Sequence, residues 1–577
     1  MATLTTNLFW GQGERDHRLY VTDGHWPTDM AGSVFVVGPD NRQPGGHWFD
    51  QQGLLCKINL IPDRKGRVVV QHRRIKTPLD RIRNRFPKLF KTLLFMEISP
   101  FGLSNLANTN VQTIDDRLFI GYDAGRPLEV DPETMKYITP VGANDEWLQS
   151  LPGLLEPGIS VAAHPASDVP DNRLWFVNYT PMPINRRVFV AAWDLEGPIR
   201  RWEVEGIGEF DSIHDIKVTE DYLIFTDLPF VTEPQVFQGL PPSHPNKDTT
   251  TMWIVSKADI AATPVGGKVP CREIIVPMPT GHLSVDYANP GGKIRVFLEH
   301  IPLQDLMVMI HREEYSHFTG GLMNPNHEGL VTLAVQPGCV GKYVIDGESG
   351  HIHESEIAWD DRFWGAVLAT KDESSTKARD HQGQLWYTSL GYDPALVPET
   401  WWQLYANAGL HSLVDPDELP IEPVPAAIAR FDRESMKVAE VFAIEAGAFA
   451  HPPTFVPRRG ATDPDDGYVV CIIHRDGPKE VWVFDGMDIE RGPLAKATAK
   501  DFNPPLLLHS TWMPPRPGKR PSSYKIPLSR DLRGATRQFF PLIGGLLKAG
   551  KDIAKLEAAA AKAAKAEQAG SPELVDQ

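Results

Sequence analysis

The sequence predicts an all-β fold, and the β-propeller is its simplest form. Three observations carry that expectation. From about residue 30 to residue 515 the chain consists of short apolar, β-rich runs broken by Gly, Pro, Asp and Asn, the pattern of antiparallel strands joined by turns. So many strands in one chain limit their exposed edges well by closing radially. His164, His214, His300 and His509 each lie beside such a run, too far apart in sequence for a local zinc-finger-type site. They can meet only if the fold closes around a centre.

The elements follow in chain order. Residues 1–7 have neither a charged nor a long apolar region, so no signal peptide is expected. Residues 34–37, 68–70, 118–120, 174–177, 188–190, 222–225, 468–473 and 481–484 read as strands. No clean internal repeat fixes a blade number. Between residues 73 and 96, basic residues alternate with Leu, Ile and Phe. There Phe86, Leu89, Phe90, Leu93 and Leu94 follow helical spacing, and Arg83, Arg85, Lys88 and Lys91 supply cations for lipid headgroups. Residues 78–96 are therefore read as a peripheral membrane contact, against the alternative of a surface helix packed on the β domain. Residues 1–515 are expected to form the β domain with its insertions. Residues 516–577 are expected to be a Pro-rich linker and helical tail, with Lys551 to Gln568 of high helix propensity.

Composition narrows the function. The 577 residues carry a formal charge of −16, which argues against nucleic acid as a partner because phosphate binding wants a basic face. The four cysteines are scattered with no C-x-x-C pair, as in a reduced, cytoplasmic protein. No stretch approaches the apolar length of a membrane span. No Ser/His/Asp constellation, P-loop or dinucleotide fingerprint points to hydrolysis, phosphoryl transfer or NAD chemistry. Of the 19 histidines, His17, His25, His244, His381 and His411 sit in polar contexts and are expected to face solvent. Four neutral imidazoles without a thiolate suit a borderline divalent metal such as iron, zinc, copper or nickel.

Several short motifs sharpen this picture. His214-Asp215-Ile216-Lys217 and His509-Ser510-Thr511-Trp512 are the strongest, joined by Gly38-Pro39-Asp40, His47-Trp48-Phe49-Asp50, Asn108-Thr109-Asn110, Phe455-Val456-Pro457 and Asp465-Asp466-Gly467-Tyr468. In this order, across roughly residues 20 to 515, they resemble the carotenoid cleavage oxygenases, non-haem iron enzymes that include carotenoid/apocarotenoid, lignostilbene and retinoid-processing members. The resemblance implies a seven-bladed β-propeller, with Fe(2+) on the axis and a substrate tunnel under a cap of loops and helices. It implies His164, His214, His300 and His509 as metal ligands; at the third position His300 is taken over His282 and His311 because Val296-Phe297 precedes it and an isoleucine follows. In the family, glutamates orient three of the four imidazoles. Here Asp123 stands at one of those positions, with water expected to bridge the missing methylene, Pro452 stands at another, and Asp360 or Asp361 falls nearest the third.

The function implied is an Fe(II)-dependent dioxygenase that cleaves an alkene of an apolar substrate, such as a carotenoid or apocarotenoid, to two carbonyl products. Two alternatives are cleavage of a lignin-derived stilbene and a non-catalytic apolar-ligand-binding propeller or redirected oxygenase. Stilbene-cleaving members tend to carry a lysine where this chain has Tyr122.

Overall fold

Val34 and Val36 enter one apolar cluster, with Leu54, Val470 and Ile472, while Phe35 and Val37 enter another, with Val111, Leu118 and Ile120. Successive side chains of a strand point to opposite faces. A strand that feeds two clusters therefore lies in a sheet covered on both sides. Residues 222–225 repeat the arrangement: Leu223 and Phe225 join one cluster, and Tyr222 and Ile224 the next. This two-sided burial explains the continuous apolar runs, which a sheet with one wet face would have broken into alternation.

The computed structural model describes residues 9–93, 96–151, 153, 155–180, 186–230, 233–236, 240–331, 335–365, 368–369, 383–516, 522–535, 537 and 555. Mostly antiparallel sheets follow one another along the chain, in the arrangement of a β-propeller. One, in spatial order, runs Ser160–Val161, Arg173–Tyr179, Val188–Trp193, Arg200–Glu205 and Lys268–Pro270. The next runs Ser212–Val218, Tyr222–Leu228, Thr249–Ser256 and Arg272–Pro277. It is followed by Thr280–Val285, Lys293–His300, Pro337–Asp346 and Ile352–Trp364.

The ring is joined by the two ends of the chain. Ser33–Pro39 pairs antiparallel with His509–Met513, in a register that sets Val37 against His509 and Ser33 against Met513. Arg15–Gly24 pairs with Ala495–Thr498 on one side and Val68–Arg74 on the other. Trp512 locks the seam by donating its indole N–H to the Ala31 carbonyl at 2.9 Å.

Two long connections, whose described parts are residues 301–331, 335–336 and 389–426, pack on each other through Leu303, Val308, Tyr392 and Val397. The short helix Glu399–Tyr405 ties them together: Trp401 donates to the Leu303 carbonyl at 2.9 Å, and Tyr405 donates to Asp305 Oδ2 at 2.6 Å.

Two expectations change here. The basic insertion forms its helix at Pro78–Arg85 and not through Phe86 to Leu94. Its start is fixed by a capping box, in which the Asp80 N–H donates to Thr77 Oγ1 and the Thr77 N–H donates to Asp80 Oδ2. Pro87 disfavours helical geometry at Phe86, so the chain leaves through a 3-10 turn at Pro87–Leu89 and the strand Lys91–Leu93. Leu94 lies outside the described residues. His17, expected at the surface, is 3% exposed, because the alternation in Arg15–Gly24 turns it inward with Leu19; His25, His244 and His411 are exposed, and His381 lies outside the described residues. Residues 522–535, within the expected linker and helical tail, are helical over 528–535 and pack against the sheets through Tyr524 and Asp531. Of the helix expected over residues 551–568, only residue 555 is described. Among the described residues no helix is long and apolar enough to cross a membrane.

Candidate metal centre

Four imidazoles converge where the sheets meet: those of His164, His214, His282 and His509. One nitrogen from each lies within 4.8 Å of the others. Ring centroids stand 4.4 Å apart for His164–His509, 4.7 Å for His164–His214 and 5.0 Å for both His164–His282 and His282–His509. His214, His282 and His509 sit on Ser212–Val218, Thr280–Val285 and His509–Met513, each the terminal strand of its sheet. His164 follows Ser160–Val161, also a terminal strand, and bridges Asp215: the His164 N–H donates to the His214 carbonyl at 3.1 Å, and the Ile216 N–H to the His164 carbonyl at 3.2 Å. Register shifts at Ile213/Ile216 and at Thr280/His282 re-aim two of the rings, the usual effect of a bulge.

Two carboxylates fix ring orientation. Asp123 accepts from His214 Nδ1 at 2.9 and 3.1 Å, and Glu299 accepts from His282 Nδ1 at 3.1 Å. An ionised carboxylate only accepts, so Nδ1 carries the proton in both rings and Nε2 keeps its lone pair for an ion. Asp123 thus reaches His214 directly, with no need of the bridging water expected from its shorter side chain. Its carbonyl accepts from the Val161 N–H at 3.0 Å and its Oδ1 from the Ala163 N–H at 3.2 Å, which brings the turn close to the ring. Neutral imidazoles backed by carboxylates, with no thiolate, form a donor set that fits a divalent first-row metal.

His300 is not in this group. Its strand, Lys293–His300, is the second in its sheet, hydrogen-bonded on both sides. Its ring is buried, with Nδ1 against Thr280 Oγ1 at 3.1 Å and Nε2 against the Tyr343 hydroxyl at 3.0 Å. Asp360 and Asp361 are also remote, on Ile352–Trp364, the far edge of the same sheet from His282. Asp360 accepts from Arg362 at 2.8 Å, and Asp361 is exposed. The expected carboxylate is instead Glu299, which sits opposite His282 in the register. Pro452 does stand beside His509, in the wall of a small polar cavity that also takes in His164.

On another side of the cluster lies a mainly apolar cavity of about 180 Å³, lined by His214, His282 and His509. Trp48 and Phe49 form part of its wall, and Leu306, Val331 and Leu390 descend from the long connections. The motifs near the start of the chain build this wall. His47 Nε2 donates to the Leu306 carbonyl at 3.1 Å while its Nδ1 accepts from the Phe49 N–H, and Asn108 donates to the carbonyls of Phe49 and Gln51 at 3.0 and 2.7 Å. Sequence reasoning also missed His451. This imidazole lines the cavity, and burial pushes its pKa down to about 4, so it stays neutral at physiological pH.

Known proteins share this fold. The model of the RPE65 family, described as retinal pigment epithelial membrane protein, matches residues 11–514. The apocarotenoid-15,15'-oxygenase of Synechocystis is 24% identical over 545 residues, covering 86% of this chain and 94% of that protein. A carotenoid 9,10(9',10')-cleavage dioxygenase of Crocus sativus is 27% identical over 236 residues, 37% of this chain and 41% of its own. Among solved structures, a variant of the Synechocystis apocarotenoid oxygenase superposes with a TM-score of 0.60 at 19% identity, covering 88% of this chain and 98% of that one. The lignostilbene dioxygenase of Pseudomonas brassicacearum gives 0.58 at 16% identity, with the same coverage. A match over nearly the whole β domain, on a fold that brings four histidines together at its centre, makes this chain a member of the RPE65/carotenoid cleavage oxygenase family of non-haem iron enzymes.

Proposed function

We propose that the protein is an Fe(II)-dependent dioxygenase that cleaves one double bond of a long apolar substrate, such as an apocarotenoid, to two carbonyl products. The observation that carries this reading is the four-imidazole cluster opening onto an apolar cavity. His164, His214, His282 and His509 would hold the iron, which supplies the activation and orientation of dioxygen. Asp123 and Glu299 hold the Nδ1 protons of two rings, keeping Nε2 available. The mainly apolar cavity wall would receive an extended apolar chain beside the cluster. Both oxygen atoms end in the two carbonyl products, so no acid–base pair is required of the protein.

The exposed apolar residues Phe86 and Leu89 beside Arg85, Lys88 and Lys91 favour a peripheral membrane contact through residues 78–96, from which such a substrate would be drawn. Stilbene cleavage fits less well, since a buried tyrosine, Tyr122, precedes Asp123 where lysine is expected.

Oxygen uptake and product analysis on iron-loaded protein test the reading, with apocarotenoids and stilbenes offered separately. One dioxygen consumed for each pair of carbonyl fragments from an apocarotenoid is expected. A ligand retained without turnover would instead make the protein a binder.

A further inference from the structure

Residues 522–535 lie beyond the part of the chain that the family shares, which ends at residue 514, yet they are firmly anchored. The Tyr524 ring packs on Trp193 with centroids 4.8 Å apart, and its hydroxyl accepts from the Gly142 N–H at 2.8 Å. The Ile526 N–H donates to Thr139 Oγ1 at 2.9 Å, and Arg530 donates to Asp145 at 2.5 Å. From this strap Asp531 reaches inward and is 5% exposed. Both of its carboxylate oxygens accept from Arg126 Nη1 at 3.0 Å, and one also accepts from the Asn144 N–H at 3.1 Å.

Arg126 is the hub of this contact. Its guanidinium is 1% exposed and also donates to the Gly142 carbonyl and to Glu156, each at 3.0 Å. Arg126 is shared between two carboxylates, and loss of Asp531 would leave Nη1 with the Gly142 carbonyl alone and the guanidinium pulled toward Glu156. The turn between Arg117–Gly121 and Leu128–Val130 carries Arg126 at one end and Asp123 three residues earlier. That turn has little slack. The Arg126 carbonyl accepts from Asn105 Nδ2 at 2.5 Å, and a Cβ on Gly125 would sit 2.8 Å from the Asn105 side chain. The turn is thus the short covalent route from the guanidinium to the carboxylate that orients His214.

We propose that the C-terminal strap is part of the support of the metal centre, with Asp531 acting through Arg126 as a positioning residue for the turn that holds Asp123 against His214. The inference rests on the four-histidine metal site proposed above. Its ligand class is the same divalent metal, and it adds a segment outside the shared β domain to the determinants of that metal's affinity and geometry.

Titration of metal-free full-length protein with Co(II), followed by visible absorption, tests it without recourse to turnover. Wild type is compared with D531N, D531E, R530A and, as the reference for losing the orienting carboxylate, D123N. D531N is expected to shift the Co(II) bands in the direction of D123N and to weaken binding about 3- to 10-fold, less than the roughly 10–100-fold typical of losing the carboxylate itself. D531E, which keeps the charge, is expected to recover most of the wild-type spectrum. R530A, which removes a strap contact to Asp145 but none to Arg126, is expected to perturb spectrum and affinity less than D531N does. Wild-type behaviour in D531N, an equal loss in D531E, or an R530A effect as large as that of D531N would each overturn the proposal while leaving the metal site standing. Failure of the wild type to bind Co(II) would overturn both. If D531N does not fold, R126K, which keeps the cation but not its fork of donors, takes its place, a shift toward D123N supporting the link and wild-type bands refuting it.

Discussion

Glu299 and His300 are adjacent in one strand, so pleating sends their side chains to opposite faces. The glutamate meets His282, and the histidine meets Tyr343. Substituting His282 by Ala should therefore lower metal occupancy to a small fraction of wild type, whereas His300→Gln should leave metal stoichiometry unchanged at some cost in stability. Metal analysis of the two purified variants decides between them, and loss of metal in His300→Gln alone would refute the assignment. Glu299→Gln should weaken metal binding about 10- to 100-fold by removing the carboxylate that fixes the His282 ring. His164, His214 and His509 were legible because each falls in a motif that resembles the family's. His282 was not, because sequence registers a strand beside a histidine but not which strand of the sheet it is. The legible clue was Glu299, a carboxylate in an otherwise apolar run, and its partner lay across the hairpin.

At the scale of elements, the basic insertion divides its cations between two tasks. Arg83 turns inward and binds both Asp80 and Glu97, while Arg85, Lys88 and Lys91 remain exposed. Phe86 and Leu89 are 53% and 43% exposed, and Phe90 is buried. Changing Phe86 and Leu89 to Ser should cost membrane partitioning about 2 kcal/mol together, a factor of roughly 30, if about half of each side chain enters the bilayer interface. Sedimentation with anionic vesicles measures this, and equal pelleting of variant and wild type would remove the membrane contact. The periodicity of Phe86, Leu89, Phe90 and Leu93 read as a helix because spacing alone outweighed Pro87, whose restriction on Phe86 is the stronger local signal. The strands were easier to read, since a sheet buried on both faces writes itself as an unbroken apolar run. The number of blades was not written in the same way, because neighbouring sheets join through Arg15–Gly24 and no repeat marks their borders.

The whole molecule carries a set of histidines buried as neutral rings. Burial pushes the pKa of His72 down to about 3 and that of His47 to about 4, and it lowers His17, which packs against His72 with ring centroids 5.3 Å apart. In the unfolded chain these rings titrate near 6.5. Below that pH the unfolded state binds more protons than the folded one, so stability is intact at neutral pH and is lost as pH falls from about 6.5 toward 4. Each such histidine contributes up to about 1.4 kcal/mol per pH unit across that window. Urea unfolding at pH 7 and pH 5 should show a fall in stability smaller by about 2 kcal/mol in His72→Leu than in wild type. Equal falls would mean that His72 titrates in the native protein as it does in the unfolded chain.

Pairing of Ser33–Pro39 with His509–Met513 has one more effect. The last imidazole is delivered by the strand that seals the circle, so a fragment missing the later end lacks His509, and one missing Ser33–Pro39 leaves His509 on a strand without its partner. A message cut short or a nicked terminus would give a polypeptide unable to capture its ion tightly, and bound metal per chain would then serve as an assay of intactness.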